Sequence, residues 1–137
     1  MTPQERLVLI AKSIEIRDNA ESMTQGAIYK AVQELGEFKF WSYRQLAAIC
    51  RNQISHSKVA HLVSKTDKKG GKFNPDHLEM LRDIVFQRSA GKVDWERIRT
   101  VMDGGTSGDM IARVTGMPKS SIYRKFRIDN VLQKSLI

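Results

Sequence analysis

The chain has little of what stabilises or interrupts other classes of protein. One cysteine in 137 residues rules out a disulfide within the chain. The three prolines and nine glycines lie mostly where helices would begin or end. No run of about 18 apolar residues occurs, so no segment is expected to span a membrane. The N-terminal stretch has no basic region with a small-residue cleavage site, and we expect a cytoplasmic protein.

The chain does contain enough apolar residues for a core, together with an excess of positive charge. Hydrophobic residues make up 41% of the sequence and charged residues 28%, and no long polar tract indicates disorder. The length fits one ordinary domain or two very small ones. A formal net charge of +8 favours a polyanionic partner, such as DNA, RNA or a membrane surface.

Residues 1–66 are predicted to form an N-terminal module of four helices. The first begins with a capping box at Thr2, Pro3 and Glu5 and runs to about Asp18. The next three each follow a capping residue, and their apolar residues recur at helical spacing. These capping residues are Thr24, Ser42 and Ser55. Gly36 is predicted to end the second helix.

Residues 67–74 are predicted to be a basic, glycine-containing linker, because lysines, two glycines and an Asn-Pro step follow one another there. Residues 75–137 then repeat the plan of the first half. A longer helix begins at Pro75, Asp94 caps the next, Thr106 or Ser107 caps a third, and a last helix covers residues 118–128. We expect an all-α fold of seven to eight helices, arranged as two tandem tri-helical modules that each follow a longer helix.

Apolar positions in the two halves support this internal repeat. At offsets of 67, 65 and 63 residues, the matched pairs are Leu35 with Met102, Leu46 with Ile111, and Val59 with Ile122. The match is one of pattern, with little sequence identity. The alternative is a single helical domain without internal symmetry.

Residues 107–126, "SGDMIARVTGMPKSSIYRKF", have the spacing of a helix-turn-helix. Ala112 is small enough for two helices to cross closely, and Gly116 can take the left-handed conformation that ends the first helix. Ile111, Met117 and Ile122 are expected to seal the crossing.

The second helix of this motif is expected to present polar and basic side chains outward. These are Lys119, Ser120, Tyr123, Arg124 and Arg127. Arginine can bind guanine through two hydrogen bonds, and serine can bond to a base or a phosphate. Tyrosine and lysine are suited to phosphate contacts. The composition therefore predicts a helix that enters the DNA major groove.

The stretch "VMDGGTSGDMIARVTGMPKSSIYRKF" resembles the C-terminal DNA-binding domain of the serine resolvases and invertases. The resemblance covers about residues 90–128 and implies that Ser120 and Arg124 read bases. It also implies that Ser121 and Tyr123 contact phosphates. The minor-groove arm of that family is represented only by Gly91 and Lys92, so Lys92 is a candidate arm residue. The family's catalytic domain has no counterpart in the first 90 residues.

The first half contains a second, weaker candidate, "SYRQLAAICRNQISHSKVAHLV", whose turn is long and lacks glycine. Leu46, Ala47 or Ala48, Ile54 and Val59 are expected to form its crossing. Candidate DNA contacts in this half and in the linker are Arg44, Ser55, His56, Ser57, Lys58, His61, Lys65, Lys68, Lys69 and Lys72. Two reading helices on one chain could span adjacent major grooves, ~34 Å apart.

Other conspicuous residues have ordinary structural interpretations. Cys50 lies in an apolar stretch and is expected to be a buried thiol. Trp41 and Trp95 are expected to be core residues, although Trp41 beside Phe40 could instead stack on bases. The histidines form no metal-binding pattern, and no catalytic constellation is recognisable. We therefore expect no enzymatic activity, no cofactor and no metal.

The predicted function is sequence-specific binding of double-stranded DNA by a small transcriptional regulator of the phage or mobile-element type. Its modules would be homeodomain-like, and it would be nucleoid-associated in a bacterial or phage-infected cell. It would act as a homodimer or a pseudo-symmetric monomer. The alternatives are an accessory DNA-binding subunit of a mobile-element recombinase or nuclease, a factor acting on host RNA polymerase, and an RNA binder.

Overall fold

The computed structural model describes residues 1–64 and 71–136, with side chains described as far as Arg127. Within these residues the chain forms eight α-helices and two short 3-10 turns, with no β-strand. The predicted all-α fold of seven to eight helices is therefore confirmed. The helices are α1 (Pro3–Asn19), α2 (Gln25–Gly36), α3 (Tyr43–Ile49), α4 (His56–Leu62), α5 (Leu78–Ser89), α6 (Trp95–Asp103), α7 (Gly108–Thr115) and α8 (Lys119–Leu136).

Side-chain caps explain why most of these helices begin where they do. The Thr2 hydroxyl accepts from the Glu5 N–H while the Glu5 carboxylate accepts from the Thr2 N–H, which is the predicted capping box. Ser42 and Gln45 form a second box at the start of α3. Of the two predicted capping residues at α7, Thr106 and Ser107, the cap is Ser107, whose hydroxyl accepts from the Met110 N–H.

Three boundaries differ from the sequence prediction. The fourth helix ends at Leu62, whereas the apolar spacing predicts it over residues 56–65. Residues Pro75–His77 form a 3-10 turn, and α5 proper starts only at Leu78. The last helix continues to Leu136, well past the predicted end at residue 128. Two of these three boundaries are helix ends, and a capping signal marks where a helix starts better than where it stops.

α1 and α5 pack against each other as an antiparallel pair at the centre of the fold. Near the end of α1, Arg17 donates to Glu79 Oε1 at 2.6 Å and to the Pro75 carbonyl at 2.9 Å, both at the start of α5. At the opposite end, Arg6 of α1 and Arg88 of α5 reach the same turn of α7. The two long helices therefore run in opposite directions.

The two halves share one contiguous apolar core. Buried side chains come from every helix, from Leu9 in α1 to Ile122 in α8. Part of the predicted linker is packed into this core, since the Phe73 ring stacks on Trp41 with centroids 4.7 Å apart. The Gly71 carbonyl accepts from Gln45 of α3. The division of the chain into two domains stays a prediction, but residues 71–74 are anchored to both halves.

Cys50 is fully buried, as predicted. Burial raises the pKa of its thiol to about 11, so the thiol is protonated at neutral pH. None of the helices in the described ranges has the length and apolar character to cross a membrane.

The buried imidazole of His77 predicts a pH-dependent stability. Its Nδ1 lies 2.6 Å from the Thr106 hydroxyl, and desolvation lowers the pKa of His77 below its ordinary value of 6.5. The unfolded chain then binds a proton that the folded chain resists, so stability is full above pH 6.5 and falls as the pH drops through the folded pKa.

Urea unfolding at pH 7 and pH 5 measures this effect. We expect the midpoint to fall between the two values in the natural chain and to fall less in His77→Gln, which keeps a polar side chain without the titration. An equal fall in both proteins would assign the pH dependence to other groups.

Candidate nucleic-acid interface

The crossing of α7 and α8 is built by the predicted residues. Ile111 and Ile122 are fully buried, and Ala112 and Met117 are nearly so. Gly116 ends α7 in the left-handed conformation, with a φ of +77°, and its N–H donates to the Ala112 carbonyl at 2.8 Å. A three-residue connection then leads into Lys119, the first residue of α8.

Two arginines from outside the motif hold the end of α7 in place. Arg6 donates to the carbonyls of Arg113 at 2.6 Å and Val114 at 3.2 Å, and Arg88 donates to that of Thr115 at 3.1 Å. These carbonyls have no partner within the helix, and positive charge is favoured at a helix C-terminus. Burial, and then the neighbouring Arg88, lower the pKa of Arg6. The central helix pair thereby fixes the turn from which α8 departs.

Gly116→Ala is expected to lower the free energy of unfolding by about 1–2 kcal/mol, because a Cβ is disfavoured in the left-handed conformation. That Cβ would also lie 2.9 Å from Cζ of Arg6. Gly91→Ala is the matched control, since Gly91 has a φ of +82° but open space around the added methyl group. Urea unfolding should show the larger loss for Gly116. Equal losses would show that contact with Arg6 adds no cost beyond that of the left-handed conformation.

The predicted DNA-contacting residues at the start of α8 are all exposed. They are Lys119, Ser120, Ser121, Tyr123, Arg124 and Arg127. The opposite side of the helix is anchored by buried Ile122 and by Phe126, whose ring meets Trp95 edge-on at 6.3 Å. Except for Ser121, these residues recur at the spacing of one helical face. The structure therefore brings these sequence-predicted residues onto one outward surface.

Asp109, which the sequence pattern did not single out, lies next to this surface and engages two of its residues. The Tyr123 hydroxyl donates to Asp109 Oδ1 at 2.6 Å, and Lys119 Nζ lies 3.3 Å from Asp109 Oδ2. The hydrogen bond from Tyr123 is the main cause that lowers the pKa of Asp109, and the same bond raises the pKa of Tyr123. The resemblance implied that Tyr123 contacts phosphate, but here its hydroxyl proton is directed to a carboxylate.

Gly108 is what allows Tyr123 to lie over the start of α7. A Cβ at Gly108 would be 3.0 Å from the Tyr123 ring carbon Cζ. Asp109 and Gly108 together fix the orientation of the tyrosine. Arg124 and Arg127 differ from Tyr123, because no described residue accepts a hydrogen bond from either of them. Both arginines are exposed, and so is Ser120.

Asp109→Asn is expected to strengthen binding to duplex DNA by about fivefold at low salt, since like charges ~4 Å apart in water repel by about 1 kcal/mol. The gain should shrink as salt is raised. Fluorescence anisotropy with a labelled duplex measures it, with Asp103→Asn on exposed α6 as the control for net charge. The pKa of Tyr123, followed by tyrosinate absorbance, should fall toward its ordinary value in the same variant.

The opposite result would be a lowered pKa of Tyr123 in Asp109→Asn with unchanged or weaker binding to the duplex. It would show that the Asp109 carboxylate orients Tyr123 and Lys119 but does not repel the DNA phosphates.

The second candidate motif is also formed by the residues predicted for it. Leu46, Ala47, Ile54 and Val59 are buried between α3 and α4. Arg44, Ser55, His56, Ser57, Lys58 and His61 are exposed. Ser55 is the N-cap of α4 and accepts from the Lys58 N–H. The Lys58 ammonium lies 4.9 Å from the centre of the Tyr29 ring.

The remaining predicted contacts fall outside these two motifs. Lys72 is exposed, and its carbonyl accepts from the Ser107 N–H at 2.9 Å. Lys92 is exposed, and its N–H donates to the Gln87 carbonyl in the turn that closes α5, so its role as an arm residue stays a prediction. Lys65, Lys68 and Lys69 lie outside the described residues. The ranges 1–64 and 71–127 contain no group of three metal-ligating side chains.

Comparison of the chain with protein-family models, with curated proteins and with solved structures found no match. The resemblance to the resolvase DNA-binding domain therefore depends on residues 90–128 themselves.

Proposed function

We propose that the chain is a sequence-specific double-stranded DNA-binding protein, acting as a small transcriptional regulator. α7, the turn at Gly116 and α8 would form a helix-turn-helix, with the start of α8 in the major groove. One observation carries the proposal above the others. Ser120, Arg124 and Arg127 share an exposed face of α8, directly opposite the buried Ile122.

The side chains on this face suit both base reading and phosphate contact. Arg124 is exposed and can form two hydrogen bonds to a guanine edge, while Ser120 can bond to a base or a phosphate. Lys119 and Arg127 supply positive charge for phosphates. The net charge of +8 gives the whole chain the sign needed to attract a duplex.

Contacts from several other helices hold both the turn before α8 and the inner side of α8. Arg6 and Arg88 hold the last carbonyls of α7 from the two central helices. Phe126 and Ile122 hold α8 from its inner side. A reading helix positioned in this way loses little conformational freedom on binding.

Equilibrium binding to labelled duplex and single-stranded DNA of the same sequence, over a range of salt, tests the proposal. We expect the duplex to bind more tightly, with log K falling by ~0.9 per neutralised phosphate for each decade of salt. Preference for single strands would contradict a major-groove reader and favour stacking on unpaired bases. Absence of binding to either would contradict the proposal and favour a protein partner.

A further inference from the structure

We infer that α3 and α4 form a second DNA-reading unit, related to α7 and α8 by an internal two-fold axis. One chain would then occupy a DNA site made of two unlike, inverted half-sites. This inference depends on the proposed function, because it extends DNA reading from α8 to α4.

The two units have the same internal register. Ser42 caps α3 and Ser107 caps α7, an offset of 65 residues. The same offset relates Leu46 to Ile111, the buried residues at the two crossings. Within each half the helices also pack in the same pattern, since α1 contacts α2 and α3 as α5 contacts α6 and α7.

The backbone at the two turns repeats an unusual feature at that same offset. Gly116 has a φ of +77°, and Arg51 has a φ of +53°. Arg51 is the residue 65 positions before Gly116. A left-handed arginine is unfavourable, so its presence at the position where the other unit has glycine indicates that the chain changes direction at the same point in both units. The first turn is the longer one, because Asn52 also has a positive φ, of +57°, and α4 begins only at His56. The correspondence cannot be recognised from the sequence alone, because the first unit has Arg51 where the second has Gly116.

Contacts between the halves are exchanged at the level of the helices, although the groups that make them differ. Arg6, near the start of α1, binds the end of α7, and Asp76, just before α5, binds Arg51 at the end of α3 with its Oδ1 2.6 Å from Nη2. The antiparallel α1 and α5 are what a two-fold axis produces from two equivalent helices. Gln45 and Met110, again 65 residues apart, touch each other, with Nε2 3.3 Å from Sδ. Equivalent residues meet in this way only at the axis.

A two-fold rotation keeps equivalent elements at the same level along its axis, so α4 and α8 would be presented toward the same side. Dimeric helix-turn-helix proteins use this arrangement to place two reading helices in successive major grooves about 34 Å apart. Here one chain contains both units, and α1 with α5 occupies the position of a dimer interface.

The exposed residues of α4 correspond to those of α8 but differ in chemistry. At an offset of 63 residues, His56, Ser57 and His61 take the places of Lys119, Ser120 and Arg124. Histidine and arginine offer different hydrogen-bonding groups to a base edge. The two half-sites are therefore expected to differ in sequence, and a symmetric palindrome would be a poorer target than an asymmetric one.

This arrangement is tested by hydroxyl-radical footprinting of the full chain on a duplex that it has enriched from random DNA. The mass of the complex is measured in parallel. We expect two protected tracts on one face of the DNA, centred ~10 base pairs apart, with one chain per duplex. A single tract would overturn the inference, and so would two tracts that require two chains.

Variants then assign the half-sites. His61→Ala should weaken binding about tenfold and relax base preference in one tract only, because one base contact contributes a factor of this order. Arg124→Ala should affect the other tract, and Gln33→Ala on exposed α2 should affect neither. If Arg124→Ala weakens binding and His61→Ala changes neither tract, the second unit is overturned while α8 remains the reader. If neither variant has an effect, the proposed function fails as well.

Discussion

Arg124→Ala should weaken binding to the preferred duplex by ~1–3 kcal/mol, which is about fivefold to 150-fold. Arg124 is exposed on α8, no described residue pairs with it, and Ile122 behind it is buried. A side chain in that position can reach a base edge without breaking a contact to any described residue. Its loss should therefore lower affinity without lowering stability, and thermal unfolding of the variant should match that of the natural chain.

The distribution of the loss over DNA sequences separates base reading from phosphate contact. A base reader loses affinity for its own site and little for unrelated duplexes, so the sequence preference relaxes. Arg82→Ala removes the same charge from another surface, since Arg82 is an exposed residue of α5, and is the matched control. An equal loss on all sequences would show that Arg124 contacts only phosphate. If Arg124→Ala loses no more affinity than Arg82→Ala, Arg124 is not part of the DNA interface.

Trp41→Ala is expected to lower the free energy of unfolding by about 3–5 kcal/mol, the range for large aromatic truncations in a core. Trp41 is buried, its ring contacts Phe40 and Phe73, and its Nε1 donates to the Ser13 hydroxyl at 3.0 Å. Phe40 and Ser13 belong to the first half, and Phe73 belongs to the predicted linker, which is bonded to the second half where the Asn74 N–H donates to the Thr106 hydroxyl at 3.1 Å. The loss should therefore appear as a single cooperative transition at lower urea, without separate unfolding of the two halves.

Trp41→Phe keeps an aromatic ring and loses the hydrogen bond to Ser13, so its loss should be smaller than that of the alanine variant. Circular dichroism during urea unfolding measures both variants. An alanine variant as stable as the natural chain would contradict the core position of Trp41 and restore the alternative of base stacking. Two separated transitions would instead show that the halves unfold independently.

Local chemistry made much of the fold predictable from the sequence. The capping residues Thr2, Ser42, Ser55 and Asp94 each begin a helix, because a side-chain oxygen that accepts from a backbone N–H acts within four residues. The α7 to α8 crossing was predictable for the same reason. Gly116, the only glycine between two amphipathic stretches, marks where the chain must turn.

The features that sequence reasoning missed are those that join distant residues. Arg6 caps a helix more than 100 residues away, and nothing in its surroundings along the chain marks it for that role. Asp109 is conspicuous only once Tyr123 and Lys119 are seen beside it. Arg51 takes a conformation its residue type disfavours, because the fold overrides local preference there. Such contacts become visible only when the helices are placed in three dimensions.

Selection of the purified chain on random duplex DNA, followed by sequencing of the bound pool, is the most direct test of sequence-specific DNA binding. Parallel selection with Arg124→Ala identifies the position that this residue reads. We expect an enriched motif for the natural chain and a loss of preference at specific positions for the variant. A bound pool with the same sequence distribution as the input would contradict sequence-specific DNA binding.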